Sequence, residues 1–279
     1  MKPQKLIFIG LFLLGIAPLS AQYKVLDKPW VKENTPTRRV VPYTDVREAD
    51  VMWSRRVWRV IDLREKINHP LYFPTQPIAG RKSLFEVIKL GVEEGTLTAY
   101  DKSSDEFLVP LTKAEVNQGI LKTYELQPQY NEYDEIIEGA DDTVWVDLTS
   151  EDIIQYRLKE EWFFDRERSK MDVRILGICP VKMRYDNGIM KGPELMFWIY
   201  FPEARYVFAN YDVFNRQNDA ERRTFEDIFW KRMFNSYAIK RSNVYDRESA
   251  GFMKGIDILL EADKIKNDLF TMEHDMWSY

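Results

Sequence analysis

The sequence predicts an α+β fold: two small mixed helix and hairpin lobes with a C-terminal helical segment. Three observations carry this reading. Capping signals recur along the chain, at Ser83 with Glu86, Thr112 with Glu115 and Thr149 with Asp152, each marking a helix start. Short apolar runs rich in β-branched and aromatic residues stand beside turn signals such as Asp186-Asn187-Gly188. The 279 residues are 45% hydrophobic and 30% charged, enough apolar material for a sizeable core and too much for a disordered chain.

The N-terminus reads as a secretory signal peptide over residues 1–21. Lys2 and Lys5 precede the apolar run Leu6 to Leu14, and Gly15, Pro18, Ser20 and Ala21 lead to a cleavage site before Gln22. The run is too short for a spanning helix, which needs about 20 residues. No cysteine follows it for lipid attachment. Losing both lysines takes the net charge from −5 to −7, so the expected product is an exported, soluble, acidic protein. Residues 22–44, with Pro29, Pro36 and Pro42, read as an extended arm.

An N-terminal lobe is expected over 45–123. From Ala49 to Ile67, Trp53, Val57, Val60, Ile61 and Ile67 recur at helical spacing, with Arg55, Arg59, Asp62 and Lys66 opposite, and the segment is read as a helix. Val51 and Trp58 form a second narrow stripe. Packing inside the lobe accounts for that stripe, and so does packing on another subunit. Residues 76–81 read as a loop, 84–94 as a helix stopped by Gly95, 97–100 and 106–109 as a hairpin, and 112–119 as a short helix.

Residues 124–142 are acidic and aperiodic and read as a linker. In the C-terminal lobe, 143–279, a strand is expected at 144–148 and an amphipathic helix at 152–168. Further strands are expected at 173–184, 194–201 and 206–213, then helices at 219–234 and 251–277. On the last helix Phe252 and Trp277 line one apolar flank, and Ile258 and Leu269 the other. A similarity between Trp58–Pro74 and Trp162–Pro180 leaves an internal duplication open.

Little chemistry is legible. With one cysteine, Cys179, there is no disulfide framework, and with two histidines, His69 and His274, most histidine-based metal sites are excluded. Cys179 lies in an apolar run and reads as a buried small hydrophobe. Neither a nucleophile elbow nor a phosphate-binding glycine loop occurs. The reading therefore assigns no catalytic residue, no cofactor and no metal, and the acidic balance argues against a nucleic-acid partner. Arg55, Arg56, Arg59 and Arg64 have the donors to grip an anion or wall sugars, but with acids interspersed salt-bridged faces explain them better. The surplus is in surface: 8 Trp, 15 Tyr and 16 Phe are residues that dominate interface energetics. Val51, Trp58, Phe252, Ile258, Leu269 and Trp277 are the candidate partner interface.

The block Ala49–Pro74 resembles the gliding motility protein family GldN, called PorN in non-gliding relatives. The likeness continues through Leu84-Phe-Glu-Val-Ile, Trp162-Phe-Phe-Asp-Arg-Glu-Arg, Gly177-Ile-Cys-Pro180 and Phe197-Trp-Ile-Tyr-Phe-Pro202. The resemblance implies a non-enzymatic periplasmic subunit of the type IX secretion system. It implies a homo-oligomeric ring built with the outer-membrane lipoprotein GldK (PorK), near the inner-membrane proteins GldL and GldM, with membrane association only through partners. The alternative is a soluble periplasmic enzyme or cell-wall-binding protein using Arg55, Arg59 and nearby carboxylates.

Overall fold

A computed structural model describes residues 39–78, 80–130, 136–186, 189–215, 218 and 220–276, with the side chains of 123–144 and 185–189 outside that set. The expected signal peptide, most of the expected arm, Asn187 and Gly188 of the expected turn, and Trp277 lie outside the described residues.

A seven-stranded antiparallel sheet organises the molecule. Its strands are β1 (Val51–Asp62), β2 (Ala99–Tyr100), β5 (Ile153–Asp165), β6 (Lys170–Asp186), β7 (Ile189–Leu195), β8 (Trp198–Tyr200) and β11 (Tyr237–Arg241). They run in the order β11-β1-β5-β6-β8-β2, with β7 also on β6. Strands from both sides of residues 124–142 enter this sheet, so it joins the two expected lobes. Two strands, β3 (Lys122–Tyr130) and β4 (Ile136–Asp147), pair antiparallel where a linker was expected. Two short strands, β9 (Asp212–Val213) and β10 (Arg223–Thr224), pair separately.

The segments expected as helices at 49–67 and 152–168 are strands β1 and β5, paired to each other along nearly their whole length. The register explains the misreading. In β1, alternation puts Trp53, Arg55, Val57, Arg59 and Ile61 on one face and Ser54, Arg56, Trp58, Val60 and Asp62 on the other. Both faces are covered in its second half, so Val57, Trp58, Val60 and Ile61 are all buried. Two-sided burial erases the alternating pattern and leaves apolar spacings that mimic a helix. The β5–β6 register gains one residue on β5 at Ile153/Gln155, which disturbs the period at the start of β5 as well.

The helices are α1 (His69–Tyr72), α2 (Leu84–Glu94), α3 (Lys113–Glu115), α4 (Phe201–Phe208), α5 (Phe225–Trp230) and α6 (Ile256–Asp275). Ser83 caps α2 by accepting from the Glu86 N–H at 3.2 Å, and Gly95 ends it in the left-handed region at φ 80°. The Thr112–Glu115 capping box forms. The Thr149–Asp152 box also forms, but it opens a single 3₁₀ turn before β5 and no helix. A third box, Thr224–Asp227, starts α5. The strand expected at 206–213 is instead the end of α4 followed by the short β9, while the helix expected at 219–234 shrinks to α5 behind β10. The expected 97–109 hairpin reduces to a bridge between Tyr100 and Pro110, because β2 pairs β8.

The main core lies between the sheet and α2, α4 and α5. Ile61, Phe85, Tyr156, Leu158, Phe197 and Phe201 are among its fully buried members, each worth about 1.5–3 kcal/mol against exposure. Phe201, Phe208 and Phe229 meet at ring centroids 5.2–6.0 Å apart, tying α4 to α5. On the same face of the sheet, α6 packs Ile265 and Leu269 on Val57 and Ala238.

Candidate partner-binding surfaces

Two of the predicted interface positions are consumed by the chain's own packing. Trp58 is 8% exposed and clusters with Cys179 and Trp198 on the second face of the sheet. Its indole N–H donates to Asp105 Oδ2 at 2.5 Å. The Lys240 ammonium stands 4.3 Å from the ring centroid, a cation–π contact. Lys159, itself buried, donates to the Asp105 carbonyl at 2.6 Å and pairs with its carboxylate at 3.4 Å. Phe107 closes the cluster at φ 58°, its ring resting on Gly177; a Cβ there would lie 2.5 Å from Phe107 Cζ. Burial pushes the Cys179 thiol up to about 12, so it carries no thiolate at neutral pH. Leu269 is likewise buried, under Val57 and Ala238.

The opposite face holds a buried acid. Glu160, fully buried, accepts from Arg232 Nη2 at 2.8 Å and from the Trp162 indole at 3.0 Å. Two of the arginines weighed as anion grips, Arg59 and Arg64, are engaged within the chain. Arg59 donates to Ser236 Oγ at 2.8 Å and to its carbonyl at 2.6 Å, and desolvation lowers its pKa. Arg64 embraces Asp62 through Nη2 at 2.6 Å and Nε at 3.0 Å. That charge-assisted hydrogen bond holds the Asp62 carboxyl below the usual carboxylate range. The Arg55 guanidinium lies 5.9 Å from the Trp53 ring centroid.

The end of the arm is anchored by Arg205. The guanidinium, almost fully buried, sits 4.0 Å from the Tyr43 ring centroid and donates to the Val41 carbonyl at 2.6 Å and to Glu226 Oε1 at 2.8 Å. Tyr43 stacks on Trp230 at 5.6 Å. Arg174 adds a hydrogen bond to the Thr44 carbonyl. Desolvation raises the Glu226 pKa even beside Arg205.

Among the described residues exposed apolar side chains occur at several places, and two of these are groupings. The first is the outer side of α6 and the turn before it. Phe252 is 54% exposed, and Ile256, Leu259, Leu260 and Phe270 are comparably open, while Ile258 is half-buried. Val51 is half-buried at the start of β1. The second is a groove of about 670 Å³ running from Ile67 and Pro70 to Phe214 and Met233. It continues past Phe214 into a cleft of about 350 Å³ lined by Phe73, Pro74, Ile78 and Arg81. The sequence does not announce this groove, because 76–81 reads there only as a loop. Its one local signal is the density of large apolar residues, Ile67, Phe73 and Ile78, within a proline-rich connection. Exposed patches of this kind on a folded protein mark interaction sites.

Among the described residues no group of three or more His, Cys, Asp or Glu side chains is placed to hold a metal ion, and no helix is long and apolar enough to cross a membrane. Comparison with curated protein sequences gives no match. The family model for the gliding motility associated protein GldN matches residues 46–278, from just before β1 through α6 and across both exposed surfaces. The chain therefore belongs to the GldN family, a component of the gliding motility and type IX secretion apparatus.

Proposed function

We propose that the chain is a non-enzymatic periplasmic structural subunit of this apparatus, forming a homo-oligomeric ring with the outer-membrane lipoprotein GldK (PorK), close to GldL and GldM. Residues 1–21 direct export and are removed, and the membrane is reached only through the lipidated partner. The observation that carries this reading is the joining of family membership to solvent-exposed apolar surface: Phe252, Ile256, Leu259, Leu260 and Phe270 on one region and the Ile67–Phe214 groove on another. The charged groups around Trp58, Glu160 and Arg205 are engaged in internal ion pairs and hydrogen bonds, which supports a structural use for them.

The test is reconstitution. Purified chain mixed with purified GldK, followed by light scattering behind size exclusion, is expected to give a species far heavier than a one-to-one complex. Two separate peaks at all mixing ratios would overturn the proposal. Export is checked independently: mass spectrometry of the protein from the periplasmic fraction is expected to find Gln22 at the N-terminus.

A further inference from the structure

We propose that the outer face of α6 pairs antiparallel with the same face of α6 in a second copy of the chain, across a two-fold axis. The inference rests on the homo-oligomeric reading above and goes further by naming one surface through which copies meet.

Spacing along the helix supplies the first observation. Ile265 and Leu269 dock α6 on its own chain. On the opposite side Ile256, Leu259, Asp263, Lys266, Phe270 and Glu273 are all exposed and follow one another at intervals of three and four residues. Those are the a and d positions of a heptad, the seam along which one helix packs on another. Ile256, Leu259 and Phe270 are each more than half exposed, and Leu260, equally open, widens the seam. A helix already docked by one apolar stripe has no use within its own chain for a second.

Charge supplies the second observation and decides the occupant. Arg241 takes the flanking carboxylates, Glu261 at 3.4 Å and Asp268 at 2.6 Å. Asp263 and Lys266, at the middle of the outer seam, hold no ion pair or hydrogen bond among the described residues. In an antiparallel pair the a residues of one helix lie opposite the d residues of the other. An axis passing between Lys264 and Ile265 sets Asp263 against Lys266 of the second copy, and Lys266 against Asp263 of the second copy. The same register sets Leu259 against Phe270 on both sides of the axis, and Ile256 against Glu273 at the open ends, where the carboxylate reaches water. A parallel pair in register would set Asp263 against Asp263 and Lys266 against Lys266. The outer seam is therefore complementary to itself in one direction only. Charged groups at a and d positions fix register and orientation more than they add affinity.

A two-fold contact closes on itself, so it joins copies in pairs and leaves the remaining contacts of the assembly to other surfaces. A paired chain presents its other binding surfaces twice, so losing the pair also weakens assembly with GldK.

Charge reversal tests this with the full chain, followed by sedimentation equilibrium. Asp263→Lys alone and Lys266→Asp alone are each expected to self-associate about tenfold or more weakly than the unsubstituted chain, because like charges then meet in both central layers. An equimolar mixture of the two, and the double variant Asp263→Lys with Lys266→Asp, are expected to recover association. Both positions are exposed, so thermal unfolding is expected to stay unchanged. Cross-linking checks the register. Asp263→Cys chain is mixed with Lys266→Cys chain under mild oxidation, and pairs carrying one of each are expected to outnumber pairs of either variant with itself. Cys179 is buried and does not compete. If the unsubstituted chain self-associates but neither reversal weakens it and no mixed pair is favoured, the α6 pairing is wrong while the homo-oligomer stands. If the reversals weaken binding to GldK and leave self-association untouched, this face meets GldK and the pairing is again wrong. If the unsubstituted chain stays monomeric alone and enters the GldK complex as a single copy, the homo-oligomer itself fails and the pairing with it.

Discussion

The β1–β5 strand pair and the C-terminal helix α6 handle their side chains in opposite ways. On β1 and β5 even the charged groups are drawn inward: Lys159 and Glu160 are both buried, one held by Asp105 and the other by Arg232 and Trp162. On α6 only Ala262, Ile265 and Leu269 are buried, while Ile256, Leu259, Leu260 and Phe270 face solvent. The second half of the strand pair is closed within one chain, and each of these two buried charges has a partner whose loss would leave it unpaired. The helix is docked by one stripe and leaves a second uncovered, as an element that meets another molecule does. Fold stability and assembly should therefore respond to different substitutions.

The comparison is broken most severely at Trp58. Replacing it with Ala removes an indole buried between Lys240 and Lys159 and leaves the Asp105 carboxylate without that donor. Chemical denaturation is expected to show a loss of about 3–5 kcal/mol. Trp53, half-buried beside Val57 and α6, should lose less on truncation, about 2 kcal/mol. This order is opposite to the one the sequence suggests, in which Trp53 belongs to the core and Trp58 to an interface; equal or inverted losses would show that the cluster around Trp58 does not hold the sheet.

Glu160→Ala should come next, at about 2 kcal/mol, since it strips the Arg232 guanidinium and the Trp162 N–H of their shared acceptor while Arg232 still reaches water. A third expectation concerns pH. Asp62 is held below its unfolded pKa by Arg64, so the stability it adds is present above the ordinary carboxylate range and lost as pH falls through its lower folded value. Asp62→Asn should thus flatten the acid limb of the stability profile and lie closest to the unsubstituted protein at the lowest pH. An unchanged acid limb would remove Asp62 from the account.

An element is legible in the sequence when the physical signals that set it are local. Ser83, Glu86 and Gly95 act within one turn of chain, so the boundaries of α2 can be read directly, as can the capping box at Thr112. β1 reads as a helix because the partners covering its two faces, α6 on Val57 and Trp198 on Trp58, are distant in sequence, and only their presence explains why residues of both parities are apolar. The box at Thr149 shows the same limit. It fixes one turn, whereas pairing with β1 and β6 makes Ile153–Asp165 a strand. Of the candidate interface, Phe252 lies on the surface. Trp58 and Leu269 are drawn inward by strands and loops that no local pattern announces.

The smallest effect on stability and the most direct test of the central claim coincide at α6. The double variant Leu259→Ser with Phe270→Ser changes two exposed side chains and should shift unfolding free energy by no more than about 0.5 kcal/mol per site. Titrated against purified GldK and followed by light scattering, this folded variant is expected to assemble with affinity reduced by about 2 kcal/mol, roughly thirtyfold. Assembly at the unsubstituted affinity and mass, with the fold intact, would contradict the separation between a closed strand pair and an open helix.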